Sequence, residues 1–182
     1  MFCRVALSLM MLLPVPALAD MPLSYTENGQ RLFSFSIPDF WTARAGGPRL
    51  LQDSPDDDPR AVARLIGLSP SEEEGVWIGF IAPPGLRDFQ DGRAYLTDIG
   101  PFLVNDPQLE RRDTIRVGAR AAERFRGTGQ RDGRSVSFTA LVIDLPGPRV
   151  AVSVAVMDSR ARPELVEDIN AIYNSFRAGG AG

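Results

Sequence analysis

From residue 32 onward the chain alternates apolar and polar side chains. Phe33, Phe35 and Ile37 interleave with Ser34 and Ser36, which predicts a half-buried strand ended by Pro38. Val62–Leu68 and Val76–Ile81 are rich in branched and aromatic residues and are separated by Pro70, Ser71 and Glu72–Glu74, which predicts a hairpin. Between Asp88 and Ile99 the period changes: Phe89, Leu96 and Ile99 share a helical face, Asp88 is placed to cap the start, and Gly100–Pro101 predicts the stop. Strands resume at Thr114–Val117, Ala121–Arg126, Val136–Leu145 and Val150–Met157. The last three are joined by turns at Gln130–Gly133 and Pro146–Pro148 suited to antiparallel neighbours. In the last strand Val150, Val152, Val154 and Val156 face one way and Ala151, Ser153, Ala155 and Met157 the other. This strand is apolar on both sides and predicts a central place in a covered sheet.

A final helix supplies cover. Pro163 suits its first turn, Glu164, Glu167 and Asp168 its positive end, and Arg177 its negative end, with Gly179 as the stop. Leu165, Ile169, Ile172 and Phe176 form one stripe, flanked by Val166 and Tyr173, whose full burial contributes on the order of 6–12 kcal/mol before entropy costs. Strands, one helix, further strands and a last helix predict an α+β domain in which helices cover an antiparallel sheet. No repeat of solenoid or propeller period occurs.

The first 19 of the 182 residues carry one charge at Arg4, an apolar run over Val5–Leu13 and small residues before Asp20. This is the order of a secretory signal cleaved after Ala19. Pro14 and Pro16 cut the run short of a membrane span, and the only cysteine, Cys3, precedes the run rather than following it as a lipid-anchored chain requires. The expected organisation is a signal at 1–19, a polar leader at 20–31, one domain at 32–178 and a tail at 179–182. The expected location is the periplasm or the extracellular space, with no span after cleavage. An exported domain without cysteine relies on packing instead of disulfides.

Composition narrows the chemistry. The chain has no histidine and no lysine, so a Ser–His triad, Schiff-base chemistry and a P-loop lysine are excluded, and zinc ligation is disfavoured. A net charge of −3 disfavours bulk nucleic-acid binding. Carboxylate pairs remain as possible hydrolytic groups, yet most acids sit in turns or a helix's first turn. Asp144, inside an apolar strand, is the exception, with an arginine partner as its ordinary role. Asp53, Asp56, Asp57 and Asp58 are calcium candidates by ligand type, but they lack the glycine and glutamate spacing of an EF-hand loop.

Between Arg111 and Arg134 eight arginines stand against three acids, Asp113, Glu123 and Asp132. Arg111, Arg112, Arg116, Arg124 and Arg126 are therefore candidates for docking an anionic ligand, a lipid surface or an acidic partner, the alternative being a hydrated face paired with acids. Trp41 and Trp77 are the aromatic candidates for a binding surface, the alternative being core packing.

Ser36–Ile37–Pro38 running into Trp41, Gly118 before a strand with Ala121 and Ala122, and the helix ending Asn174–Ser175–Phe176–Arg177 together resemble the PsbP-like superfamily, which includes periplasmic DcrB-type proteins. The resemblance spans about residues 32–177. It implies an α/β/α sandwich used mainly as a non-catalytic binding or assembly module. Members include an extrinsic subunit of the photosynthetic water-oxidising complex, a transport factor that binds a small GTPase, and chaperones for secreted effectors. The ion-associated histidine and lysine positions of the photosynthetic member have no match here. The expectation is an exported binding or accessory protein of the cell envelope that needs no cofactor. The alternatives are an envelope hydrolase using carboxylates and a calcium- or anion-stabilised structural protein.

Overall fold

The computed structural model describes residues 20–47, 49–51, 60–62 and 64–180. The signal segment with Ala19, and the aspartates 53, 56, 57 and 58, lie outside the described residues. The elements run β1 (Met21–Glu27), β2 (Gln30–Ile37), β3 (Trp41–Ala45), β4 (Arg49–Leu51), β5 (Arg60–Val62), β6 (Ile66–Pro70), β7 (Val76–Ile81), α1 (Phe89–Leu103), β8 (Asn105–Val117), β9 (Arg120–Arg131), β10 (Arg134–Leu145), β11 (Arg149–Asp158), α2 (Glu164–Asn174) and β12 (Arg177–Ala178).

Seven strands form one antiparallel sheet in the order β3-β6-β7-β11-β10-β9-β8, and β1-β2-β12 form a second. As the valine–alanine alternation of β11 predicts, this strand is central. Val154 and Val156 pack with Leu96 and Leu103 of α1, while Ala151 and Ala155 join the main core with Leu165, Ile172 and Tyr173 of α2. That core also takes Tyr25, Phe33 and Phe35 from the smaller sheet. The layers are thus α1, the seven-stranded sheet, and a cover shared by α2 and the three-stranded sheet, an α+β architecture.

Several boundaries differ from the sequence pattern. The leader is partly a strand: β1 pairs with β2 along its length around an Asn28–Gly29 turn with both residues at positive φ, and it buries Tyr25. α1 continues through Pro101 to Leu103, closed by the Val104 N–H on the Gly100 carbonyl at 3.0 Å, because a proline this late in a helix removes only one bond of its final turn. β8 begins at Asn105, nine residues before the predicted start. It is an edge strand, exposed through Arg112 and broken by two irregularities, so it needs no apolar face. α2 ends at Asn174. Phe176 and Arg177 lie beyond it, and β12 runs antiparallel to β2.

Two of the residues that carry the family resemblance meet directly. The Ser175 hydroxyl accepts the Ser36 N–H at 2.8 Å and donates to the Ile172 carbonyl at 2.7 Å, which ties the end of α2 to β2.

Candidate functional site

α1 is fixed tightly at one end. The Asp88 carboxylate accepts the N–H groups of Gln90 at 2.8 Å and Asp91 at 3.0 Å, capping the helix. At Gly92 a Cβ would fall 2.3 Å from Val142 Cγ1, so the helix backbone touches the sheet there. Towards its other end α1 borders a groove of about 490 Å3. The helix supplies Leu96 and Leu103; the strands supply Leu109, Phe125, Phe138 and Ala140. Leu109 is 59% exposed and Phe102, in the last turn of α1, is 55% exposed, so this end of the molecule presents apolar surface.

The polar groups beside the groove are paired. Arg93 of α1, a lining residue, donates to both oxygens of Glu123 at 3.1 and 3.0 Å, and Arg112 donates to the same carboxylate at 3.1 Å. The Arg112 guanidinium also lies 5.5 Å from the centre of the Phe125 ring. Burial raises the Glu123 carboxyl, but hydrogen bonds and charge from the two arginines outweigh it and hold the group below the usual range.

The register divides the arginine-rich segment between the two faces of the sheet. Arg112 faces α1. On the other face Arg124 grips Asp113 through two bonds, at 2.9 and 2.6 Å, and Arg111 approaches the same carboxylate at 3.3 Å. The Arg124 hydrogen bond is the main cause that holds Asp113 low, and it raises Arg124 in return. Arg126 makes no ion pair among the described residues. Arg116 donates to the Ala119 carbonyl in the following turn at 2.5 Å. Asp144 takes its ordinary role, paired with Arg120.

The two tryptophans separate as well. Trp41, only 2% exposed, belongs to the core and offers no surface, because its strand packs it against the layer formed by β2 and α2. Trp77 is half-buried against the α1-side cluster, with the Arg131 guanidinium 5.7 Å from its ring centre.

Among the described residues no group of three or more Asp, Glu or Cys is arranged to hold a metal, and no helix is long and apolar enough to cross a membrane. The residues lining the α1 groove escape a reading of the sequence because they come from five elements. Leu109 is the one local signal, an isolated leucine in an otherwise polar stretch.

Neither a protein-family model nor a curated protein matches the sequence. Solved structures do. Cyanobacterial PsbP from Synechocystis sp. PCC 6803 is 13% identical, with 93% of this chain and 98% of that one covered and a TM-score of 0.54. A protein from Bacteroides thetaiotaomicron VPI-5482 is 11% identical over 81% of this chain, which spans only 45% of that protein, with a TM-score of 0.50. LpqN of Mycobacterium tuberculosis, involved in cell envelope biogenesis, is 15% identical over 89% of this chain and 91% of that one, with a TM-score of 0.47. The chain has a PsbP-like fold.

Proposed function

We propose that the protein is an exported, non-catalytic binding or accessory protein of the cell envelope, and that the groove beside α1 receives an apolar segment of its partner. The observation that carries this reading is a groove with an apolar lining whose neighbouring carboxylate, Glu123, is neutralised by two arginines. Such a site has surface to bury and no proton to give. The signal-like first 19 residues support export. A carboxylate hydrolase is disfavoured, because Glu123 and Asp113 are held on opposite faces of the sheet and both are shifted towards the ionised form.

Site-specific photo-crosslinking in cells tests this. A photoreactive residue at position 109 yields one discrete protein adduct, and the same residue at Val166, exposed on α2, does not. Absence of an adduct at 109, or the same adduct from both positions, overturns the reading.

A further inference from the structure

The sheet face turned towards α2 grades from apolar to charged. Successive rows across β8, β9 and β10 read Ile115–Ala122–Ile143, then Asp113–Arg124–Leu141, then Arg111–Arg126–Thr139. Between the outer rows and α2 lies a second groove, of about 590 Å3, which is within the size range of small-molecule sites. Its helical wall is Val166, Ile169, Asn170, Tyr173 and Asn174, which recur at the spacing of one helix face. The groove has two characters: Leu141, Met157, Val166 and Ile169 are apolar, while Arg126, Thr139, Asn170 and Asn174 bring hydrogen-bonding groups.

Its charge is unbalanced. Three arginines, Arg111, Arg124 and Arg126, stand around one paired carboxylate, Asp113, whose oxygens are already occupied by the first two; the neighbouring Glu110 accepts the Thr128 hydroxyl at 3.0 Å and makes no ion pair with them among the described residues. No lining residue is acidic. Arg126 is half-buried and stands directly opposite Arg111 in the ladder, a like-charge pairing that disfavours the sheet. An anion supplied from outside relieves this arrangement, and a guanidinium is the side chain best shaped to take a carboxylate or phosphate through two bonds.

We propose that this groove binds a small organic anion. Its carboxylate or phosphate is held by Arg126 with Asn170 and Thr139 beside it, and its apolar part lies along Met157 and Ile169. The proposal is independent of the groove beside α1, which opens on the other face of the sheet.

The test is a titration of the purified protein at fixed ionic strength, followed by backbone amide NMR shifts. The probes are phenyl phosphate, inorganic phosphate and vesicles containing phosphatidylglycerol. Phenyl phosphate is expected to saturate shifts centred on Arg126, Thr139 and Asn170, with inorganic phosphate weaker at the same place. R126Q, with an otherwise unchanged spectrum, is expected to lose about tenfold or more in affinity, and R112Q, altered on the opposite face, to stay within about twofold. The proposal is overturned if phenyl phosphate gives no saturable shifts, or if R126Q binds as well as the parent protein. It is also overturned if only the vesicles perturb this face, an outcome that marks it as a membrane-contacting surface.

Discussion

Replacing Phe80 with alanine lowers the stability of the protein by about 3–5 kcal/mol. Phe80 is fully buried on β7, with ring centres 4.4 Å from Phe35, 5.6 Å from Tyr173 and 6.2 Å from Phe33. It therefore stands where the seven-stranded sheet, the three-stranded sheet and α2 meet. Its removal leaves a cavity bordered by three elements, each held by its own ladder or helix bonds, so the site cannot collapse to fill the space. Phe102→Ala is the matched control: it removes a side chain of equal size from an exposed position and is expected to change stability by no more than about 0.5 kcal/mol. Urea unfolding of the two variants separates the cases. A loss below about 1 kcal/mol for Phe80→Ala contradicts the described core.

Deleting Met21–Glu27 has a larger effect and abolishes cooperative unfolding. The segment supplies Tyr25, whose ring lies 4.8 Å from that of Phe33, and Glu27, which pairs with Arg149 at 2.5 Å. Without β1, strand β2 keeps only the two-residue β12 as a ladder partner among the described residues, and the aromatic face it shares with Phe80 loses part of its cover. A strand so poorly paired does not hold the cover layer in place. Calorimetry is the check. A truncated protein that still unfolds in one sharp transition within a few degrees of the full chain would show that residues 21–27 are a dispensable leader.

That contrast marks where the amino-acid pattern was legible. β11 announces its position because both of its faces are apolar and differ in size, and α2 because four large apolar residues recur at one spacing. β1 gives a weaker signal: Leu23 and Tyr25 are its only large apolar residues after Met21, and Pro22 opens it. The outer half of β8 gives none, since an edge strand exposed on both faces is held by hydrogen bonds to β9 and has no apolar period to show. Gly100–Pro101 misleads in the opposite direction. The pair carries the local chemistry of a stop, yet α1 continues for two further residues whose apolar side chains, Phe102 and Leu103, stand at the groove end of the helix.

The site was legible only as a composition. Eight arginines within one segment identify a basic region, but which of them share a carboxylate depends on register, which sets Asp113 beside Arg124 and turns Glu123 towards Arg93 of a distant helix. Register likewise separates Arg112 from Arg124 by a full sheet thickness, although both bond to acids in the same pair of strands. Burial of Trp41 has a similar origin. Nothing beside it in the chain distinguishes it from Trp77; the difference lies in which layer each strand faces.

The proposed role as a binding protein depends on a groove whose adjacent acid keeps no proton. The most direct measurement is the carboxyl titration of Glu123, followed by carbon NMR in the intact protein. The predicted midpoint lies below the ordinary glutamate value of 4.5, because Arg93 and Arg112 together outweigh the cost of burial. A midpoint raised from the ordinary value towards neutral pH would contradict the account, since the acid beside the apolar groove would then hold a proton at working pH, as a hydrolase requires.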